Sequence, residues 1–357
     1  MKVAILGAGA GGAAAVAELT LAGHHVALWN RSAATIAPFA EHGIAYEGVL
    51  GEGVVRSATV TADLAAAIAD AEAAVVTLPT ISHAAVARTL AQAGWGSARP
   101  VVLNPGHTGG ALAFRHAYAQ VSAPPPIAEL STLTYVARKY APHKVTVTGR
   151  AKQVRAAALP GGRDALTLAQ LLFPGAVPAA NVLATDLSNV NMVVHPPGAV
   201  LAAAWVEARG GDFTFYVDAM TPGVVRVMQR LDAERRAVAA AFGIALPGLI
   251  EEMRAIGTVS EDAPADDYVA AISGGEANRR IKGPDSLAHR YYQEDFAYGL
   301  TPFLAFAAIA AVETPVAAAL SRLGDAACGL PDGAGRTAQA MGIAGLSRDG
   351  LLACVGG

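Results

Sequence analysis

The first thirty residues constrain the fold of this chain more than any other stretch. Residues 2–31 read KVAILGAGAGGAAAVAELTLAGHHVALWNR. An apolar run at residues 3–6 enters a glycine turn, a helix-forming run follows at residues 13–22, and a second apolar run spans residues 25–29. Short apolar runs on either side of a helix-forming segment predict the order strand, helix, strand. The sequence therefore predicts an α/β fold that begins with a parallel sheet.

The turn between the first strand and the helix carries the spacing G-x-G-x-x-G. Gly7 permits a tight turn, Gly9 lets a pyrophosphate approach the backbone, and Gly12 lets helix and strand pack closely. The free N–H groups and the dipole of the helix then favour an anion. An alanine-glycine turn in an unrelated α/β protein is the alternative. We expect a dinucleotide to contact the turn at Gly7, Gly9, Ala10, Gly11 and Gly12.

The residues after the second strand bear on which dinucleotide binds. A cofactor without a 2′-phosphate usually meets an acidic residue here, whereas an arginine suits the phosphate. The sequence has Asn30, Arg31 and Ser32 at this point, and the next acidic residue is Glu41. This favours NADP and leaves NAD open, since an arginine could also lie flat over the adenine.

Composition bounds the class of protein. The 357 residues predict two domains, and 53% hydrophobic with 15% charged residues is typical of a packed globular protein. A net charge of −3 gives no general affinity for nucleic acid or acidic membranes. Cys328 and Cys354 make no disulfide framework, and neither they nor the scattered histidines have a metal-ligand spacing. Cleavage of a signal peptide would remove the glycine turn, so we expect a cytoplasmic protein without a metal.

Two later apolar runs, residues 73–78 and 101–103, are typical of buried parallel strands. The first ends at Leu78 and Pro79, and the second enters the loop NPGHTGG at residues 104–110. Because ligands bind at the carboxyl ends of parallel strands, Leu78 and Pro79 are candidate cofactor contacts. His107 and Thr108 add donors, and we predict that they bind substrate. The alternative is that this loop simply begins a helix, with Thr108 as its N-cap.

Periodicity divides the chain into two predicted domains. Further strands at residues 127–133 and 144–148 complete a dinucleotide-binding domain at residues 1–175, which we expect to be a doubly wound sheet of the Rossmann type. From residue 181 onward the apolar spacing is helical, which predicts an all-helical substrate and catalytic domain at residues 176–357. Its predicted helices span residues 185–194, 197–208, 221–242, 246–256, 287–297 and 301–312. The glycine-rich segment from Gly329 carries little signal.

One histidine precedes two prolines. His195 is followed by Pro196 and Pro197, and proline disfavours the helical conformation of the residue before it. One helix should therefore end near Val194 and another begin with proline in its first turn. This places the imidazole of His195 at a helix junction, where a cleft could reach it. A structural histidine is the alternative reading.

A second polar cluster, RYYQED, spans residues 290–295. Residues three and four apart share a helix face, so Asp295 should lie with Tyr291 and Tyr292, and Glu294 with Arg290. The alternative is a solvated, charged helix start with an internal ion pair.

Several stretches together resemble the octopine/nopaline dehydrogenase family, also called opine dehydrogenases. The resemblance extends from the glycine turn to about residue 323. Its most specific feature is the His-Pro pair followed at a distance by R-Y-x-x-E-D. The segments that carry it are NMVVHPPGAV at 191–200, GDFTFYVDAMTP at 211–222, LDAERRAVAAAFGI at 231–244 and GPDSLAHRYYQEDFAYGLTP at 283–302.

The resemblance implies a reductive condensation. The α-amine of an amino acid and the carbonyl of a 2-oxo acid form an imine, which a nicotinamide hydride reduces to a secondary-amine dicarboxylate. His195 would be the general acid and base, and Asp295 would face it across a cleft and fix its tautomer. Arg290 would contact a substrate carboxylate or the cofactor pyrophosphate. Whether the protein forms a homodimer is left open.

Two other functions are alternatives to this one. Ketopantoate reductase and glycerol-3-phosphate dehydrogenase are two-domain reductases that use a lysine early in the helical domain, and this chain has no lysine between Lys152 and Lys282. A nicotinamide-binding sensor would keep the glycine turn but need neither His195 nor Asp295. One departure from the family pattern is Thr134, where a proline is usual.

Overall fold

The computed structural model describes residues 1–275 and 278–356. It contains two compact units. Unit 1 comprises residues 1–106 and 110–182 together with residue 356, and unit 2 comprises residues 107–109 and 183–355. Unit 1 is a sheet-and-helix unit and unit 2 is helical, so the predicted α/β class with a helical C-terminal part is confirmed.

The strands all lie in unit 1 within the described residues. They are β1 (Lys2–Leu6), β2 (His25–Trp29), β3 (Ile44–Gly48), β4 (Gly53–Val55), β5 (Thr59–Thr61), β6 (Ala73–Val76), β7 (Val101–Leu103), β8 (Ile127–Leu130), β9 (Tyr135–Ala141), β10 (Lys144–Arg150), β11 (Val154–Ala158) and β12 (Ala176–Pro178).

Eight of these strands form the main sheet, in the order β12-β11-β8-β7-β6-β1-β2-β5. All neighbours are parallel except β8 and β11, which pair antiparallel. The chain crosses from one side of β1 to the other between β5 and β6, so the order reverses at β1. In open parallel sheets this reversal point is where ligands bind.

The helices of unit 1 cover the main sheet, and those from residue 182 onward build unit 2. The first six are α1 (Ala10–Leu21), α2 (Ala33–His42), α3 (Leu64–Ile68), α4 (His83–Gln92), α5 (Gly110–Ala119) and α6 (Arg163–Leu172). The remainder are α7 (Val182–Asp186), α8 (Val190–Leu201), α9 (Ala203–Arg209), α10 (Pro222–Ala241), α11 (Leu249–Ile256), α12 (Tyr268–Gly274), α13 (Arg290–Gln293), α14 (Thr301–Ala310), α15 (Pro315–Ala327) and α16 (Arg348–Val355). No described helix is both long and apolar enough to cross a membrane.

Helix α1 is packed between two sheets. It contacts β1 and β2 of the main sheet, and also β3, β9 and β10 of a second, four-stranded sheet with the order β4-β3-β10-β9. Because both sides are covered, the helix is apolar except for Glu18 and Thr20 near its end, and it is rich in alanine and glycine, which allow close approach. The second sheet was not predicted. The sequence predicts a strand at residues 144–148, which is part of β10, but alternation along a strand does not show which other strands pair with it.

The predicted break at the double proline is wrong. Helix α8 runs without interruption from Val190 to Leu201, with Pro196 and Pro197 inside it. Proline cannot donate to the preceding turn, so the two rings leave two carbonyls without their usual partners. Residues 192–199 are all buried, and α10, α11, α13 and α15 pack around the helix. We infer that this burial outweighs the local preference, so His195 lies inside a helix rather than at a junction.

The helix predicted at residues 287–297 is also shorter than expected. Helix α13 covers only Arg290–Gln293, and a turn of π-helix follows at Phe296–Leu300. The π-helical turn shifts the spacing of side chains along this segment relative to a regular helix. Asp295 precedes that turn and is 4% exposed.

Candidate active site

Four parallel strands of unit 1 end at the same level. Leu6 pairs with Trp29 on one side and with Val76 on the other, and Val76 pairs with Leu103. The residues that follow these strands therefore line one edge of the sheet. This edge carries the glycine turn, the segment from Asn30, the Leu78 and Pro79 turn and the start of the NPGHTGG loop.

The glycine turn has the geometry of an anion site. Gly7 has a φ of +129°, which favours glycine, and a Cβ on Gly12 would stand 1.7 Å from the carbonyl oxygen of Gly7. A Cβ on Gly9, in contrast, would meet nothing within 4 Å. Gly9 is the N-cap of α1, and no side chain caps the helix. The first backbone N–H groups of α1, including those of Ala10 and Gly11, are therefore not used by a side-chain cap. They can donate hydrogen bonds to a phosphate at the N-terminus of the helix.

Asn30, Arg31 and Ser32 follow β2, and each has a different structural role. The side-chain oxygen of Asn30 accepts from the backbone N–H of Ala8 at 3.4 Å, which ties the segment to the glycine turn. Ser32 is the N-cap of α2, because its hydroxyl accepts from the N–H of Thr35 at 3.2 Å. Arg31 is exposed, and within the described residues its guanidinium makes no hydrogen bond or ion pair. A cofactor role for Arg31 stays a prediction.

Leu78 and Pro79 follow β6, next to the glycine turn. A Cβ on Gly7 would stand 2.9 Å from the backbone nitrogen of Leu78, so the two backbones pass close together. Leu78 is half-buried and Pro79 is exposed. Both therefore lie where an apolar contact to a bound dinucleotide is available.

The middle of the NPGHTGG loop belongs to unit 2. The N–H of Gly109 donates to Asp186 Oδ1 at 2.6 Å, and the hydroxyl of Thr108 donates to the carbonyl oxygen of Asp186 at 3.3 Å. Asn189 Nδ2 donates to Thr108 Oγ1 at 3.1 Å. Thr108 is fully buried. Its hydroxyl is thus engaged by protein groups, which favours a positioning role over the direct substrate contact that the sequence predicted.

An arginine from the C-terminal segment holds the same loop. Arg336 Nη1 donates to the carbonyl oxygen of Thr108 at 2.6 Å, and its side chain is 3% exposed. The preceding Gly335 has a φ of +105°, and a Cβ there would stand 2.1 Å from the carbonyl oxygen of Ala297. Only glycine lets the chain pass so closely. Sequence reasoning missed Arg336, because the glycines around it were the only local signal.

His107 stands at the tip of this loop with a φ of +57°, which is unusual for a residue with a side chain. Burial lowers the pKa of His107 to about 4, and the positive charges of Arg336 and Arg290 act in the same direction while Asp295 opposes them. The imidazole is therefore neutral near pH 7. Its Nδ1 lies 3.5 Å from Asn189 Nδ2, which leaves Nε2–H as the donor if Nδ1 accepts.

Thr134, which departs from the family pattern, has a defined structural task in unit 1. Its N–H donates to Asn104 Oδ1 at 3.2 Å, and Asn104 Nδ2 donates to Thr134 Oγ1 at 2.9 Å. A proline at this position would have neither the N–H nor the hydroxyl. This reciprocal pair holds the first residue of the NPGHTGG loop.

His195 and Asp295 are in direct contact. His195 Nδ1 lies 2.7 Å from Asp295 Oδ2, and the two residues are 2% and 4% exposed. A carboxylate on Nδ1 fixes that nitrogen as the protonated one and presents the Nε2 lone pair on the far side of the ring. The imidazole thus has the geometry of a general base supported by an acid.

Three aromatic side chains surround the imidazole. Tyr291 stacks on it with ring centroids 3.8 Å apart, and Phe215 meets it edge-on at 5.9 Å. The hydroxyl of Tyr216 lies 2.7 Å from His195 Nε2. Sequence reasoning did not single out Tyr216 or Phe215, although both lie in the family stretch at residues 211–222.

Arg290 has the properties expected of an anion-binding residue. It is exposed, its guanidinium lies 5.6 Å from the ring centre of Tyr291, and within the described residues it forms no hydrogen bond or ion pair. The internal Arg290–Glu294 ion pair offered as an alternative is therefore not formed. Its five donors are available to a ligand.

Glu294 lies beside this cluster and carries an unusual charge state. Burial raises the pKa of Glu294 from 4.5 to about 7, the negative charge of Asp295 adds to the increase, and Arg290 partly offsets it. A carboxyl group with a raised pKa stabilises the folded state at low pH, and this contribution is lost as the pH rises through about 7.

We expect Glu294→Gln to reduce the pH dependence of stability. In the wild-type protein the melting temperature should fall as the pH rises from 4.5 through about 7, because folding then holds an ionised carboxylate in a desolvated place. The variant has no such group, so its melting temperature should fall less over this range. Thermal melts at closely spaced pH values measure this, with Glu207→Gln on exposed α9 as the control. Parallel curves for wild type and Glu294→Gln would contradict the assignment.

The predicted site residues therefore fall into two groups, each within one unit. His195 contacts Asp295, and Arg290 lies over the ring of Tyr291, which stacks on His195, so these three lie close together in unit 2. His107 belongs to the same unit, and the charges of all three act on its pKa. The cofactor candidates line the carboxyl edge of the sheet in unit 1: Gly7, Gly9, Ala10, Gly11, Gly12, Asn30, Arg31, Ser32, Leu78 and Pro79.

Comparison with protein families finds two matches. Residues 178–328 match the family described as NAD/NADP octopine/nopaline dehydrogenase, alpha-helical domain. Residues 3–104 match the family of ketopantoate reductase PanE/ApbA. The second match covers only the sheet unit, and the first covers the helical part with His195 and Asp295.

Among curated proteins, the chain is 34% identical over 360 residues to an opine dehydrogenase of Arthrobacter sp. (strain 1C), covering 99% of this chain and 98% of that protein. It is 25% identical to a vitopine synthase of Allorhizobium ampelinum, covering 71% of this chain and 69% of that protein.

Solved structures with the same fold include octopine dehydrogenase in complex with NADH and agmatine, with a TM-score of 0.79, 20% identity and coverage of 99% and 98% of the two chains. Yersinopine dehydrogenase with NADP+ bound has a TM-score of 0.73, 17% identity and coverage of 92% and 90%. At this identity the two structures support the fold.

Proposed function

Because the chain belongs to the octopine/nopaline (opine) dehydrogenase family, we propose that it joins an amino acid to a 2-oxo acid such as pyruvate by reductive condensation. The product is a secondary-amine dicarboxylate, and the reverse reaction is its oxidation. The observation that carries this proposal is the buried His195–Asp295 pair, 2.7 Å apart, beside an uncommitted Arg290.

The cofactor is a nicotinamide dinucleotide, which supplies a hydride to the imine carbon when bound. The residues of unit 1 fit such a group: the open space at Gly9, the uncapped start of α1 and the close Gly7–Gly12 contact form a cradle that a side chain would fill. The backbone amides of Ala10 and Gly11 would bind the pyrophosphate. We propose NADP as the preferred form, on the basis of Arg31.

His195 acts as the acid and base of the condensation. An amino acid attacks a carbonyl only as the free amine, so a base must remove one proton from its ammonium group. The carbinolamine then loses water, which requires a proton on its hydroxyl. A single imidazole can take the first proton and return it for the second step, while Asp295 stabilises the charged ring in between.

Arg290 binds a carboxylate of the substrate. Both substrates carry a carboxylate at the carbon next to the reacting atom, and the guanidinium fork matches that group with two parallel hydrogen bonds. The neutral His107, presented by a loop that Asp186 and Arg336 hold, adds an N–H donor beside it. Thr108 contributes by fixing this loop rather than by touching the ligand.

The preference for NADP is tested by Arg31→Asp. An aspartate repels the 2′-phosphate and can accept from the ribose hydroxyls of NAD, so the ratio of kcat/KM for NADPH to that for NADH should fall by about 10- to 100-fold. Arg88→Asp is a matched control, since Arg88 is an exposed arginine on α4 of the same unit. An unchanged ratio in Arg31→Asp would remove the reason for naming NADP.

The reaction type is tested by following nicotinamide absorbance with NADPH or NADH, pyruvate and pooled amino acids. Oxidation of the reduced cofactor that requires both an amino acid and the oxo acid supports the proposal. Oxidation by a 2-oxo acid alone would indicate a simple reductase of the ketopantoate type, the alternative suggested by the match of residues 3–104. The absence of lysine between Lys152 and Lys282 argues against that alternative.

A further inference from the structure

Neither ring nitrogen of His195 is open to a ligand. Nδ1 is bonded to Asp295 at 2.7 Å, and Nε2 lies 2.7 Å from the hydroxyl of Tyr216. The whole residue is 2% exposed. A proton that passes between Nε2 and a substrate must therefore either displace Tyr216 or pass through its hydroxyl.

The packing around the imidazole favours passage through the hydroxyl. Tyr291 stacks on the ring at 3.8 Å with an angle of 22° between the planes, and Phe215 closes another side at 5.9 Å. His195 is in the interior of α8, and a Cβ on Gly198 would already stand 2.8 Å from Phe215. Reorienting the imidazole would break the contact with Asp295 and the stack on Tyr291 together.

Tyr216 has the chemistry that such a relay needs. Burial raises the pKa of Tyr216 well above 10, and the neighbouring Tyr291 adds to this, so the phenol keeps its proton. With Nδ1 of His195 protonated toward Asp295, Nε2 accepts the phenol O–H. The oxygen of Tyr216 can then accept a second proton while it gives up its own.

Tyr216 also lies close to the proposed carboxylate site. The positive charge of Arg290 lowers the pKa of Tyr216 and so partly opposes the effect of burial, whereas Asp295 and Tyr291 raise it. The geometry agrees: the guanidinium of Arg290 lies 5.6 Å from the ring centre of Tyr291, which stacks on His195, and the Tyr216 hydroxyl covers His195 Nε2. A substrate whose carboxylate binds Arg290 is therefore on the same side of the cluster as this hydroxyl.

We propose that Tyr216 is a catalytic residue that exchanges the proton with the substrate, and that His195 and Asp295 act behind it. This inference rests on the proposed reductive condensation. Because His195 would act through Tyr216, the inference refines the direct proton exchange assigned to the imidazole above.

The relay carries one proton from the substrate ammonium group to His195 and later returns one proton to the substrate hydroxyl. As the α-ammonium gives a proton to the Tyr216 oxygen, the phenol proton passes to His195 Nε2. The free amine then attacks the carbonyl carbon, the π electron pair of the C=O bond moves to the oxygen, and one proton passes from the attacking nitrogen to that oxygen, which gives the neutral carbinolamine. In the dehydration step Tyr216 protonates the carbinolamine hydroxyl and regains a proton from Nε2. The C–O bond breaks with its electron pair leaving in water, and the nitrogen lone pair forms the C=N bond.

The first test is Tyr216→Phe, with Tyr292→Phe as its matched control. Both changes remove a buried phenol oxygen that lies 2.7 Å from a partner, but Tyr292 donates to the carbonyl oxygen of Ala199 rather than to His195. Tyr216→Phe should lower kcat by about 100-fold, as expected for loss of an acid–base group, with little change in KM. Tyr292→Phe should keep a kcat close to that of wild type, and melting temperatures of both variants show whether they are folded.

A second test keeps the hydroxyl in place and so leaves the fold intact. A fluorinated tyrosine at position 216 has a more acidic phenol, and the relay predicts that the basic limb of the kcat–pH profile moves to lower pH. An unchanged profile, or a Tyr216→Phe enzyme as fast as wild type, would overturn the relay. If Tyr216→Phe is as fast as wild type while His195→Ala is inactive, the proposed function stands and only the relay fails.

Discussion

His195→Ala is expected to lower kcat for reductive condensation by about two to four orders of magnitude, the range that a positioned acid–base group contributes. The reason is that His195 and Asp295, with 2.7 Å between Nδ1 and Oδ2, form the only histidine–carboxylate pair near Arg290 in the described residues. Cofactor affinity should be retained, because the glycine turn lies in unit 1 and His195 in unit 2. Steady-state rates and a fluorescence titration with NADPH measure the two quantities.

The alanine also leaves two buried polar groups without their partner, Asp295 and Tyr216, so lost activity alone could reflect lost folding. His195→Gln keeps a side chain that can hydrogen bond, and it should be folded yet similarly slow because an amide does not take up a proton. His116→Ala on α5 is the control for removal of an imidazole elsewhere. A His195→Gln or His195→Ala enzyme with wild-type kcat would exclude the imidazole from the mechanism.

Asp295→Asn is expected to have an effect of similar size. An amide can donate to Nδ1 and so favours the tautomer with the proton on Nε2, which removes the base; in a serine protease the corresponding change costs about 10⁴-fold in kcat. We expect a loss of about 10²- to 10⁴-fold here. The loss of a negative charge should also move the kcat–pH profile to lower pH, because the carboxylate no longer stabilises the protonated ring.

Asp325→Asn provides the matched control, since Asp325 is also a fully buried aspartate of unit 2 and burial raises its pKa. That variant should keep the wild-type rate and profile. If Asp295→Asn slows the enzyme without moving the profile, the carboxylate has a structural role and does not tune the imidazole.

The first part of the fold was predictable because local signals and tertiary structure agree there. The apolar runs at residues 3–6, 25–29 and 101–103 became β1, β2 and β7 with little change in their ends. The glycine spacing indicated the turn because Gly7 and Gly12 solve a steric problem, which their close contact shows directly, whereas Gly9 leaves open space beside the turn. The family resemblance was confirmed by comparison with known proteins.

The helical unit was predicted less well because burial overrides local preference there. Two adjacent prolines normally end a helix, yet α8 continues through them, since helices pack against it on several sides. The segment after Arg290 contains a π-helical turn that no residue pattern announces. His195 and Asp295 nevertheless meet, although they are 100 residues apart in sequence.

The supporting residues of the site were not predictable from one sequence. Arg336 holds the carbonyl of Thr108 across 228 residues, and Asn189 reaches Thr108 across 81. Such contacts depend on how distant segments fold against each other. An arginine or an asparagine in the sequence does not indicate which distant residue it will contact. In the sequence, Tyr216 looks like any other aromatic residue of the core. Only the short distance from its hydroxyl to His195 Nε2 in the structure indicates another role.

The central claim is that one product contains both substrates, and mass spectrometry of the reaction tests it most directly. The enzyme is incubated with a nitrogen-15 amino acid, pyruvate and nicotinamide cofactor deuterated on the transferred position. The account predicts a product with the summed mass of the two substrates less one oxygen atom, carrying the nitrogen label and one deuterium in place of a hydrogen. Deuterated lactate without the nitrogen label would contradict it.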